Sequence, residues 1–155
     1  MTKILITLLS SVLLLSNAFG FSHNFDVRTK SNITALELDV KFKGELRGCG
    51  RYFIECQRKY GINAEFLAAI AIHESANGSS KIAKTKKNFF GMRGKKGYLS
   101  FSTKKECIEC AAKNLTKKNG YYFGKGRYTI GSIGKKYAAD KKWSTRVAKT
   151  MRSIR

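Results

Sequence analysis

Residues 63–78 read NAEFLAAIAIHESANG. Asn63 is a good helix N-cap, and Glu65 falls in the first turn, where the helix dipole favours negative charge. From Ala64 onward the residues are small and apolar nearly all round. A helix with no polar face has nothing to offer water, so the spacing predicts a buried helix over 64–75 at the centre of a domain. Asn77-Gly78-Ser79-Ser80 ends it. The last residues of that helix are His73 and Glu74, in a chain with only 10 acidic residues against 31 basic ones. Burial disfavours a charged carboxylate, and the partial negative charge of a helix C-terminus disfavours it further. Glu74 is therefore expected to keep its proton near neutral pH, the state a general acid needs. The alternative is a helix-end glutamate that reaches solvent or pairs with a lysine. His73 projects about 100° away around the helix and reads as a packed histidine.

Around this helix the chain reads as mostly helical. Leu46, Cys49, Gly50, Phe53 and Gln57 form a stripe, which predicts a helix over 45–59 stopped by Gly61. Residues 21–43 have no clear period and read as an extended N-terminal arm, with a short strand over 35–42. After a basic segment, Met92 to Phe101 holds two glycines between short apolar runs and reads as a β-hairpin. Thr103-x-x-Glu106 is a capping-box pattern for a helix running to about Lys117. A loop rich in glycine and tyrosine (NGYYFGKGRY) follows. A short helix is expected over 129–139. Asp140 is expected to cap a final helix whose stripe is Trp143, Val147, Met151 and Ile154.

Residues 1–20 carry the pattern of a secretory signal peptide: Lys3, an apolar run of 12 residues from Ile4 to Leu15, then small residues before a cut after Gly20. That run is too short to span a bilayer, so no stable membrane insertion is expected after cleavage. Removing it lowers the net charge from +21 to +20 and leaves 135 residues, enough for one core. A charge this high favours polyanions as partners. Export and the scatter of basic residues argue against nucleic acid and point to the anionic polymers of a cell wall. The expected location is secreted, periplasmic or at the wall, and the expected state is monomeric. With two histidines and scattered cysteines, no metal site and no cofactor are expected.

The four cysteines, Cys49, Cys56, Cys107 and Cys110, are disulfide candidates in an exported chain. Cys49 and Cys56 are seven apart on one helix, roughly 10 Å along its axis, beyond disulfide reach. A bridge from the 45–59 helix to the 103–117 helix is the expectation. Buried thiols, a Cys-x-x-Cys redox pair and a zinc site are the alternatives.

Four blocks together resemble the bacterial endo-β-N-acetylglucosaminidase family, the glucosaminidase domain of autolysins and flagellar wall hydrolases. They are KYGINAEFLAAIAIHESANGSSKIA (59–83), NFFGMRG (88–94), YLSFSTKKECI (98–108) and IGKKYAADKKWSTRVAKTM (133–151). The resemblance covers residues 48–154. It implies a mainly α (α+β), lysozyme-like domain over 44–155, with a small β-hairpin lobe and a glycan-binding cleft. It implies a peptidoglycan hydrolase cutting the β-1,4 bond after N-acetylglucosamine, with Glu74 as catalytic acid and Tyr137 beside it. It further implies that Asn88, Phe90, Gly91, Tyr98 and Phe101 line the substrate site. Tyr128 is added as a water-positioning or sugar-stacking residue; Tyr121, Tyr122 and Phe123 of the same loop either stack on sugars or pack on the core. The family's second acid has no counterpart here, because no Asp or Glu occurs between Glu74 and Glu106. The nucleophile is then a positioned water or the substrate's own N-acetyl oxygen. The rival readings are a muramidase or lytic transglycosylase on the same fold, and a non-catalytic cationic wall-binding protein.

Overall fold

The computed structural model describes residues 20–155; the expected signal segment lies outside the described residues except for Gly20. Seven helices and one two-stranded sheet follow in order. They are α1 (Ala35–Lys41), α2 (Gly50–Tyr60), α3 (Ala64–Glu74), α4 (Lys81–Lys86), β1 (Arg93–Gly94), β2 (Gly97–Tyr98), α5 (Lys104–Thr116), α6 (Ile130–Tyr137) and α7 (Trp143–Ile154). Short 3-10 turns precede α2 and α6. Among the described residues no helix is long and apolar enough to cross a membrane.

The buried central helix is α3. The Asn63 side chain accepts from the Phe66 amide at 2.8 Å, as an N-cap should. Every residue from Ala64 to Ala71 is buried. One flank of α3 packs on α7 and the other on α2, which in turn meets α1 and α5. The stripe expected on α7 is entirely core: Trp143, Val147, Met151 and Ile154 are buried. Gly61 closes α2 in the left-handed conformation, φ 65°.

Several sequence expectations are corrected. Residues 35–41 form a helix, not a strand. Thr34 and Glu37 make a reciprocal capping box, and Leu38 alone of α1 is buried. The alternation of apolar Leu36, Leu38 and Val40 mimics a strand, but Leu36 and Val40 face solvent. The N-terminal arm is not peripheral, because Phe21, Val27, Leu38 and Phe42 belong to the core. The 45–59 helix starts late, at Gly50; before it, Gly48 takes φ 75° and breaks the helical path. The basic segment after Ser80 forms α4, capped by the Ser80 hydroxyl. Asp140 lies ahead of α7 and accepts from the Lys142 amide at 2.9 Å rather than capping the helix.

The expected disulfide is absent: all four cysteines are free. The Cys107 sulfur instead accepts from the Phe89 amide at 3.4 Å, and the Cys49 sulfur approaches the Glu45 carbonyl at 3.7 Å. Burial pushes the Cys49 thiol up to about 11, and Cys56 and Cys107 up to about 12. These groups pack as small apolar side chains.

Candidate active site

Glu74 is the last residue of α3, and the turn after it is tightly built. Ser75 is buried; its hydroxyl donates to the Ala71 carbonyl at 2.6 Å and accepts from the Gly78 amide at 2.7 Å. Ala76, Asn77 and Gly78 all have positive φ, so the chain reverses immediately beyond the carboxylate. The Asn77 side chain fixes this reversal to the segment before α2. Its oxygen accepts from the Lys43 amide and its nitrogen donates to the Lys41 carbonyl, both at 3.0 Å.

Glu74 itself is half-buried, not enclosed as the apolar helix suggested. The cause is its position at the helix end, where one side of the side chain meets a groove. Its Oε1 accepts from the indole Nε1 of Trp143 at 2.9 Å. The Trp143 ring is 2% exposed and stacks on Tyr137, centroids 4.7 Å apart and planes 25° off parallel. Tyr122 continues the aromatic array at 5.5 Å from Tyr137. Burial, and then the nearby charge of Glu74, push the Tyr137 hydroxyl well above the ordinary phenol value. It therefore stays a neutral donor, and it donates to the Phe90 carbonyl at 3.3 Å. Trp143, read from sequence as a core residue, is also the hydrogen-bond donor that orients the candidate acid. The indole is amphipathic, and helical spacing reports only its apolar part.

The groove measures about 460 Å³. Glu74 and Tyr137 form one side. Asn88, Phe90, Gly91 and Tyr98, named from the sequence, line it together with Ile82, Met92, Arg93, Leu99, Asn114 and Tyr122, which the sequence did not single out. Asn88 organises the β-lobe through four bonds. Its amide nitrogen donates to the Met92 carbonyl (2.8 Å) and the Leu99 carbonyl (3.0 Å), and its oxygen accepts from the Phe90 (3.3 Å) and Met92 (3.0 Å) amides. With 1% exposure it is a structural clamp at the entry to the hairpin. Arg93 and Tyr98 face each other in register across β1 and β2, and the guanidinium lies 4.0 Å over the tyrosine ring.

Two expected site residues are elsewhere. Phe101 packs against the core, and its amide donates to the Lys86 carbonyl at 3.0 Å. Tyr128 is at the seam with the N-terminal segment: Arg28 covers its ring at 3.8 Å, Phe123 meets its edge at 5.4 Å, and its carbonyl accepts from the Val27 amide. The tyrosine-rich loop thus contributes Tyr122 to the groove while Phe123 is buried.

Among the described residues lining the groove, Glu74 is the one carboxylate. Glu106 meets half of the capping pattern at the start of α5. Its amide donates to the Thr103 hydroxyl at 3.0 Å, while its carboxylate accepts from the Ser102 amide at 2.8 Å rather than from that of Thr103. Glu109 pairs with Lys59 at the surface. Among the described residues no three His, Cys, Asp or Glu side chains gather to hold a metal ion.

Residues 50–155 match the family described as Glucosaminidase, mannosyl-glycoprotein endo-beta-N-acetylglucosaminidase. Two curated proteins of Streptococcus pneumoniae, named as candidate endo-beta-N-acetylglucosaminidases, are each 34% identical to 90% of this chain. The chain spans 23% and 21% of their lengths. The crystal structure of S. aureus autolysin E, in complex with the muropeptide NAM-L-Ala-D-iGlu, superposes with a TM-score of 0.73 at 26% identity, covering 85% of this chain and 71% of that one. A catalytic mutant of autolysin E with glutamate replaced by alanine, in complex with the disaccharide NAG-NAM, gives 0.72 at 26% identity over 86% of this chain and 73% of that one. The mostly helical architecture with its small hairpin is the fold of these autolysins.

Proposed function

The chain belongs to the glucosaminidase family of glycoside hydrolases, and on that premise we propose that it hydrolyses peptidoglycan at the β-1,4 bond following N-acetylglucosamine. The observation that carries this reading is the placement of Glu74: a lone carboxylate at the end of a buried helix, opening on an aromatic-lined groove, with one oxygen held by Trp143. The Trp143 N–H occupies Oε1 and leaves Oε2 to carry the proton. Oε2–H protonates the glycosidic oxygen as the C1–O bond breaks. With no second carboxylate among the described residues lining the groove, the N-acetyl carbonyl oxygen of the N-acetylglucosamine that carries C1 attacks that carbon as the other sugar departs with the protonated oxygen, closing a cyclic oxazolinium. Water then opens it, giving one proton to the Glu74 carboxylate and restoring the acid. Tyr137 borders the same space; its one hydroxyl proton goes to the Phe90 carbonyl, which leaves its oxygen to accept from a substrate N–H or O–H.

The single carboxylate also suits a lytic transglycosylase, in which a sugar hydroxyl replaces water, and the two are separated by product mass. The basic surface would hold the protein on the anionic wall after export. The test is digestion of purified walls by wild type and Glu74→Gln, with mass spectrometry of the products. The proposal expects new N-acetylglucosamine reducing ends from wild type and loss of lysis, with wall binding retained, in Glu74→Gln. Persistent lysis by Glu74→Gln overturns the assignment of the acid. Products one water lighter establish the transglycosylase, and N-acetylmuramic acid ends a muramidase.

A further inference from the structure

One wall of the groove is built almost wholly by residues 75–105, which include nine lysines and arginines and no aspartate or glutamate. Lys104 and Lys105 are neutralised by Glu45 (3.1 Å) and Glu55 (2.9 Å). Among the described residues none of the other seven is ion-paired with a carboxylate. Of these seven, Arg93 alone lines the groove. Its guanidinium is laid on the Tyr98 ring, 4.0 Å from the centroid, so one face is occupied while the N–H edges stay available. Lys95 and Lys96 at the hairpin tip, both exposed, extend the positive field outward along the rim.

A guanidinium held flat by an aromatic ring loses less freedom when it binds, and its fork of N–H groups matches a carboxylate in two-point geometry. With no protein carboxylate paired to it, the partner that fits is supplied by the substrate. We propose that Arg93, braced on Tyr98 at the groove rim, is a carboxylate-binding subsite that reads anionic substituents carried by the glycan. This rests on the glycan-hydrolase reading above. It adds a selectivity that the backbone sugars alone do not provide: strands bearing carboxylates, on the lactyl ether or on attached peptides, are preferred over neutral N-acetylglucosamine polymers.

The experiment compares three substrates: N-acetylchitotetraose, which has no carboxylate; strands stripped of peptide, which keep lactyl carboxylates; and strands bearing peptides. Wild type and Arg93→Met are compared as the ratio of kcat/KM on each charged substrate to that on chitotetraose. The ratio is expected to fall about five- to tenfold in Arg93→Met, and to be partly restored in Arg93→Lys. In wild type the ratio also falls with added salt. A fall on the stripped strands alone assigns the lactyl carboxylate, a fall on peptide-bearing strands alone assigns the peptide, and a fall on both means that the subsite takes either carboxylate. An unchanged ratio overturns the subsite. Binding of the same three ligands to Glu74→Gln and Glu74→Gln/Arg93→Met separates this outcome from failure of the catalytic reading. Discrimination in binding with no hydrolysis by wild type sinks the proposed reaction and leaves the subsite standing; no discrimination in binding sinks the subsite.

Discussion

Replacing Trp143 by phenylalanine tests the hydrogen bond that orients Glu74. The substitution keeps a ring against Tyr137 and removes the Nε1–H that donates to Glu74 Oε1 at 2.9 Å. A hydrogen bond to a charged group contributes about 1.5–3 kcal/mol. The bond strengthens as Glu74 gives up its proton, so most of that energy is realised in the transition state. At about 1.4 kcal/mol per factor of ten, kcat falls about ten- to a hundredfold. Trp143 is not among the groove-lining residues, so KM changes little. The lost volume costs roughly 1–2 kcal/mol of stability, which thermal melting measures separately. The assay is release of reducing ends from purified wall. A kcat within twofold of wild type refutes the reasoning; a purely structural role for Trp143 would lower stability and leave kcat alone.

Asn88→Ala removes four hydrogen bonds at the hairpin entry and should cost about 2–4 kcal/mol, with faster amide exchange across residues 90–99 and a raised KM. Exchange rates matching wild type would count against the clamp. Gly78→Ala should destabilise by about 3 kcal/mol or more in urea titration, because φ is 79° and a Cβ there would lie 2.6 Å from the Leu46 nitrogen. A loss below about 1 kcal/mol would mean that the crossing is looser than described. Ellman's reagent should modify one thiol quickly in the native protein, half-exposed Cys110, and all four after unfolding. Fewer than four reactive thiols in unfolded, unreduced protein would reveal a bridge. The buried thiols also set an alkaline dependence. Cys107 holds its proton up to about 12 when folded, while the unfolded chain releases it from about 9. The folded state then binds more protons, so stability is full below pH 9 and declines between pH 9 and 12, by up to about 1.4 kcal/mol per pH unit for this group. Cys107→Ser should flatten that slope in denaturant titrations at pH 8 and 10.

The readable parts of the sequence were those in which one physical demand dominates. A helix apolar on every side, as α3 is, can only be central, and the stripes on α2 and α7 leave one choice of face. Gly61 and Asn63 mark ends by backbone geometry and capping, which are local. Where two demands overlap, the reading failed. In α1 the alternation of Leu36, Leu38 and Val40 imitates a strand, and the capping pair Thr34 and Glu37 decides against it. Trp143 satisfies core packing with its ring and the active site with its N–H, and periodicity registers only the first. Phe101 and Tyr128 lie near groove residues in the chain, but the side on which each ring falls depends on tertiary contacts, with the core for Phe101 and with Arg28 for Tyr128. The cysteine expectation rested on compartment chemistry, and packing against Phe89 and Glu45 answers it instead.

The turn after Glu74 has a consequence for where this domain begins. It is held by the chain just ahead of α2: Gly44 and Gly78 meet backbone to backbone, the Glu45 amide donates to the Gly78 carbonyl at 3.0 Å, and Asn77 grips Lys41 and Lys43. Further upstream, His23, Phe25 and Val27 are bonded through their backbones to Tyr128, Ile130, Gly131 and Asn63. The stretch that family comparison matches starts at residue 50. Packing starts earlier: among the described residues Phe21 and Val27 already belong to the core. A polypeptide trimmed to the matched boundary would keep every groove-lining side chain and lose the contacts that hold the turn beyond the acid, so the matched stretch and the packed structure have different edges in this protein.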